Sequence, residues 1–102
     1  MKVYNKLVRD KIPDVIAADG KKFKIRPLKD KEYLAELLKK LREEAAELEK
    51  EPSIEELADV KELVIAIREA LKIHAGELED VRRQKAAERG RFKKKIFLVS
   101  VD

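Results

Sequence analysis

Two groups of carboxylates stand at helical spacing near the middle of the chain. The first is Glu43, Glu44 and Glu47, within Glu43-Glu44-Ala45-Ala46-Glu47; the second is Glu56 and Asp59, within Glu55-Glu56-Leu57-Ala58-Asp59. Side chains three apart on a helix lie one turn above the other. Glu44 with Glu47, and Glu56 with Asp59, therefore each form a pair on one face. The link Glu49-Lys50-Glu51-Pro52-Ser53 stops one helix and caps the next, so it predicts an antiparallel hairpin. Facing pairs on such a hairpin offer four hard oxygen ligands to a divalent cation. Magnesium suits that donor set, with manganese as a substitute. Zinc does not, because the chain has no Cys and a single His.

Spacing alone also fits helix caps and solvated faces. Ser53 followed by Glu56 is a capping box, in which each side chain serves the other's backbone N–H. Glu55 and Glu56 would suit the positive end of a helix dipole in any case. Projection at 100° per residue adds a distinction: Glu56 falls about 40° from the centre of its helix's apolar stripe, and Glu44 about 60° from that of its own. Asp59 and Glu47 lie further round, and Glu43 points away. A carboxylate beside a buried face is costly unless it is paired or holds a cation.

The elements that must position these groups follow from apolar periodicity. Lys31 to about Lys50 carries Leu34, Leu37, Leu38, Leu41, Ala45 and Leu48 at helical spacing, with Asp30 as the expected N-cap. A second helix, about Ile54 to Ala75, presents Leu57, Val60, Leu63, Val64, Ile67 and Leu71 on one broad face, with Ile54, Ile65 and Ile73 outside it. That width predicts burial on more than one side, against the partner helix and against another subunit. His74 lies in the apolar arc and reads as a packed or interface histidine. A weaker helix spans Glu77 to about Gly90. Pro13 opens a short helix through Ala18, before the Asp19-Gly20 turn. Phe23, Ile25 and Leu28 permit a short edge strand, and Phe92 to Val101 a terminal strand or extended tail. The expected fold is all-α: an antiparallel helical hairpin or bundle with short extended or β segments at the chain ends, assembled as an oligomer.

Composition bounds the function classes. The 102 residues hold 25 Lys plus Arg against 21 Asp plus Glu, a net charge of +4, and read as one domain over residues 1–102. A compact chain of this mass exposes roughly 5,900 Å² of about 17,000 Å² when extended, so one copy builds a modest core. The absence of Cys removes disulfides and thiolate chemistry. Apolar runs of only a few residues remove a membrane span, and the expected address is the cytoplasm. The charge is uneven: residues 1–31 carry ten basic and four acidic side chains, 32–62 five and eleven, and 63–102 ten and six. Basic ends alone would suit nucleic acid, whereas both signs together suit a polyphosphate with a divalent metal. No Gly-rich phosphate loop is present.

The chain resembles the all-alpha NTP pyrophosphatase superfamily, which includes MazG-like proteins, dimeric dUTPases and phosphoribosyl-ATP pyrophosphohydrolase. Its signature, Glu-Glu-x-x-Glu then Glu-x-x-Asp, is matched by Glu43, Glu44 and Glu47 and, after eight intervening residues, by Glu56 and Asp59. The opening Tyr4-Asn5-Lys6-Leu7-Val8-Arg9-Asp10-Lys11-Ile12-Pro13 and the closing stretch from Lys85 through Arg89, Gly90, Phe92 and Ile96 resemble the small phosphoribosyl-ATP pyrophosphohydrolase-like subgroup, which often has a second glycine at the position of Arg91. The resemblance implies magnesium ligands Glu44, Glu47, Glu56 and Asp59, with Glu62 joining a second metal. It implies that Glu43 orients or deprotonates the attacking water, which its outward projection allows only if the helix pairs with a second subunit. Lys6, Arg9, Lys11, Lys85 and Arg89 become the phosphate-holding groups. The implied reaction is magnesium-dependent hydrolysis of a nucleoside triphosphate between the α and β phosphates, giving monophosphate and pyrophosphate, by a homo-oligomer with no membrane or stable nucleic-acid partner. Two alternatives stand beside it: phosphoribosyl-ATP pyrophosphohydrolase in histidine synthesis, and a non-catalytic basic interaction or nucleic-acid-binding protein.

Overall fold

The computed structural model describes residues 1–102 and contains four helices, α1 (Ile12–Ala18), α2 (Asp30–Lys50), α3 (Ile54–Ala70) and α4 (Ala75–Arg89). They fall into two compact units, Met1–Lys72 and Ile73–Asp102. The all-α expectation holds, but neither chain end forms a strand. In the segment 21–28 Phe23 is 45% and Ile25 64% exposed, and at the C-terminus Ile96 to Val99 are at least 74% exposed. Alternating β-prone residues confer strand structure only where a neighbouring strand completes the hydrogen bonds, and neither segment has one.

In the first unit α2 and α3 pack on each other through the three-residue link Glu51–Ser53. The Ser53 hydroxyl accepts the Glu56 N–H at 3.2 Å and so starts α3. Lys29, in extended conformation, occupies the N-cap position of α2, one residue before the expected Asp30. The α2 face toward α3 runs through Leu34, Leu37, Leu41, Glu44 and Leu48, none of them exposed. On α3 the matching row is Glu56, Asp59, Leu63, Ala66 and Ala70, also unexposed. Both rows advance by alternate steps of three and four residues, the spacing of a seam between two helices. Leu37, 2% exposed, and Leu63, 8%, are the buried apolar side chains.

The second long helix ends sooner than its periodicity predicts. Leu71 caps α3 and Lys72 turns into the left-handed region at φ 59, where a non-glycine residue is uncommon. Leu71, Ile73 and His74 thus lie beyond the helix. His74 is exposed, not packed: it takes the N-cap position of α4, its N–H donating to Glu77 Oε1 at 3.4 Å. In the second unit α4 ends at Gly90, whose φ of 82 and ψ of 178 favour glycine. Arg91 has no positive φ, so this turn needs no second glycine.

Candidate metal centre

The α2–α3 seam is apolar along most of its length and acidic at the end near the link. Glu44 stands on α2 one turn beyond Leu41, in the position where a leucine would otherwise continue the row. Glu56 and Asp59 occupy the first two turns of the α3 row. Glu44, Glu56 and Asp59 each bring a carboxylate oxygen to within 4.8 Å of the others, and all three side chains are partly buried. Three negative charges at that separation repel one another unless a proton or a cation intervenes.

Glu56 is the most constrained of the three. Its Oε2 is buried and has no hydrogen-bond partner. The serine half of the capping box is present, but this oxygen is not engaged by it. Burial pushes the Glu56 carboxyl above its ordinary value, and the neighbouring charges of Glu44, Asp59 and Glu47 push it further. An orphaned acceptor among like charges is what a hard cation would satisfy, so the donor set fits magnesium.

The N-terminal arm supplies positive charge at the rim. The Arg9 guanidinium donates to Asp59 Oδ1 at 2.7 Å. Beside this pair an open cleft of about 270 Å³ is lined by Val8, Arg9, Ile12, Lys40, Glu44, Asp59, Glu62 and Leu63. Positive and negative groups therefore share one depression, with apolar walls from Val8, Ile12 and Leu63. The Lys6 ammonium lies 3.9 Å from Glu43 Oε2, and both border a smaller hollow with Asn5, Leu7, Glu36, Lys39 and Lys40.

The expected residues thus separate into groups. Glu44, Glu56 and Asp59 converge. Glu47 is exposed and stands outside that close set, although its charge reaches Glu56. Glu62 lines the cleft. Glu43 faces Lys6 on the neighbouring side of α2. Arg9 meets the carboxylates directly, whereas Lys11 is the exposed N-cap residue of α1. Lys85 and Arg89 are exposed on α4 in the second unit, four residues apart and hence on one face. Lys40 was not singled out by the sequence, yet it lines the cleft. The available signal was its position one turn before Glu44, which places both on the same flank of α2.

No family model matches the chain, and no solved structure does. It is similar to an uncharacterized protein of Mycolicibacterium smegmatis, 57% identical over 42 residues, which are 41% of this chain and 43% of that protein. The match therefore spans less than half the length of the curated relative.

Proposed function

We propose that the chain is a magnesium-dependent nucleotide pyrophosphohydrolase of the MazG-like kind, cleaving a nucleoside triphosphate or related nucleotide at the α–β phosphate linkage. The observation that carries this reading is the approach of Glu44, Glu56 and Asp59 within 4.8 Å around a buried, unpartnered Glu56 oxygen. Those three residues would hold the ion, with Glu47 and Glu62 as candidate additional carboxylates, Glu62 on the wall of the cleft. A bound magnesium ion lowers the pKa of water, polarises the phosphoryl group and offsets the charge of the pyrophosphate leaving group. Manganese is the expected substitute.

The remaining chemistry belongs to the side chains. A triphosphate approaching bare carboxylates would be repelled, and Arg9 and Lys40 set compensating positive charge in the same cleft. Lys6, Lys11, Lys85 and Arg89 are the further phosphate-holding candidates. Glu43 is the candidate for orienting or deprotonating the attacking water, and it stands 3.9 Å from the Lys6 ammonium. No covalent nucleophile is needed, since phosphoryl transfer of this kind depends on positioning and charge stabilisation. The active species is a homo-oligomer in the cytoplasm, without a membrane or stable nucleic-acid partner; no helix is long and apolar enough to cross a membrane.

The test is a panel of ordinary, oxidised and deaminated nucleoside triphosphates together with phosphoribosyl-ATP, with released pyrophosphate measured with and without magnesium. Magnesium-dependent release from at least one substrate supports the reading. Absence of release across the panel, with salt-sensitive binding to DNA or RNA instead, would replace it with the interaction-protein alternative.

A further inference from the structure

The N-terminal arm, residues 1–11, has no helix or strand of its own, yet it touches the hairpin at two carboxylates. Arg9 Nη2 lies 2.7 Å from Asp59 Oδ1, and Lys6 Nζ 3.9 Å from Glu43 Oε2. The arm packs lightly otherwise: Val3, Tyr4 and Val8 are exposed, and Leu7 is half-buried. Its far end is fixed, because the Ile12 N–H donates to the Arg9 carbonyl at 3.0 Å as α1 begins. The Arg9 backbone is therefore held in place beside the hairpin, while its long side chain is free to turn. More than half of that side chain, and 41% of that of Asp59, is in contact with water. An ion pair so exposed holds weakly, and a stronger charge displaces it.

We propose that Arg9 is a transferable clamp: it holds Asp59 while the centre is empty, gives up that carboxylate when the ion arrives, and turns to the phosphates of the substrate. The inference rests on the reading of Glu44, Glu56 and Asp59 as magnesium ligands, and adds to it an exchange of partners. Three observations favour the exchange. First, the guanidinium does not complete the charge balance of the centre, since Glu56 Oε2 stays buried and unpartnered beside it. A divalent ion among three carboxylates that lie within 4.8 Å of one another would complete it, and its double charge would repel the guanidinium from Asp59. Second, the released side chain stays at the site. Arg9 lines the same cleft as Lys40, and the Lys6–Glu43 pair keeps the arm against α2. Third, the chemistry of the group suits its second partner. A guanidinium carries five N–H donors in a planar fork that matches a phosphate bidentately. In the empty centre Arg9 thus relieves the repulsion among the carboxylates, and in the loaded centre the same charge receives the triphosphate.

The Arg9 Nε–Hε NMR signal of the full chain, assigned by its loss in an Arg9→Lys variant, reports where the guanidinium sits. A metal-free Asp59→Ala variant supplies the position of the unpaired group. Calorimetry follows magnesium binding in parallel, and inorganic triphosphate, added with magnesium in excess, is the anion probe. Saturating magnesium should move the wild-type signal to the unpaired position, and triphosphate should then move it to a third. In an Arg9→Gln variant magnesium alone should bind about two- to fivefold more tightly, the scale of an exposed ion pair. The magnesium-loaded variant should bind triphosphate at least about tenfold more weakly, the scale of a hydrogen bond to a charged group. Magnesium binding by calorimetry with the Arg9 signal unmoved overturns the clamp and leaves the metal centre standing. Absence of magnesium binding removes the metal centre and the clamp with it. A signal that magnesium frees but triphosphate leaves unmoved, or an unchanged triphosphate affinity in Arg9→Gln, would show that Arg9 guards Asp59 without passing to the substrate, and overturns the transfer.

Discussion

Replacing Glu56 by Gln keeps the size of the side chain and the serine cap while removing one of three charges held within 4.8 Å. Two consequences of opposite sign follow. In the absence of metal, the folded state holds the Glu56 carboxyl above its ordinary value, chiefly through burial, so ionising it opposes folding. That penalty is absent below the ordinary carboxylate range and complete once the pH exceeds the raised folded value. The glutamine variant should therefore be level with or more stable than the wild type at pH 7, and lose any advantage as the pH falls below about 4, where both side chains are neutral. Magnesium binding should respond in the other direction. The wild-type site must release the Glu56 proton to accept the ion, so its apparent affinity should rise about tenfold per pH unit below the folded pKa and level off above it. The variant has no such proton and should show a flatter profile. With one of three anionic ligands gone, affinity at pH 7 should fall by about 100-fold or more, since even outer-shell partners of a metal are typically worth 10- to 100-fold. Isothermal calorimetry in buffers of different ionisation heat measures both the affinity and the protons released. Glu55→Gln, which alters the adjacent exposed carboxylate in the same helical turn, is the control. Wild-type-like magnesium affinity and an unchanged pH profile in the Glu56 variant would refute the assignment and leave Glu56 as a helix-start residue alone.

Alanine at Lys6 and Arg9 together should raise the KM for a triphosphate at least several-fold with circular dichroism unchanged, because both lie outside the long helices; loss of the Arg9–Asp59 ion pair should meanwhile strengthen magnesium binding modestly, as calorimetry without nucleotide would reveal. An unchanged catalytic efficiency would remove the two residues from the site. Leu37→Ala, at one of two buried apolar positions, should cost about 2 to 5 kcal/mol in urea unfolding at fixed protein concentration, and a loss below about 1 kcal/mol would mean that the α2–α3 seam relaxes around the gap. In a carboxylate NMR titration Glu79 should have a midpoint below the ordinary value, since Arg82 hydrogen-bonds to it and Arg83 adds its charge, whereas Glu56 should lie above it in metal-free protein. Coincident midpoints would contradict both local environments.

Much of the local structure was legible in the residues themselves. Pro13, Pro52 and Ser53 mark helix starts and stops because a missing N–H or a well-placed hydroxyl acts within a few residues, and the helices at Ile12–Ala18, Asp30–Lys50 and Ile54–Ala70 begin at or next to the expected positions. The pairing of Glu44 with Glu56 and Asp59 was also foreseeable, since a three-residue link between two periodic helices leaves little freedom in how they meet. Tertiary structure decided which of the two apolar rows on α3 is used. Sequence projection merges Leu57, Val60, Leu63, Val64, Ile67 and Leu71 into one broad face. Packing against α2 selects the row through Leu63, which continues into Glu56 and Asp59, and leaves Leu57 and Val64 in water. Periodicity reports how many residues are apolar at a given angle, not which neighbour each one meets. The same limit explains the missing strands, whose formation depends on a partner elsewhere in the chain. It explains the Arg9–Asp59 contact as well: the two residues are 50 positions apart, and only the folded arm brings that charge to the carboxylates.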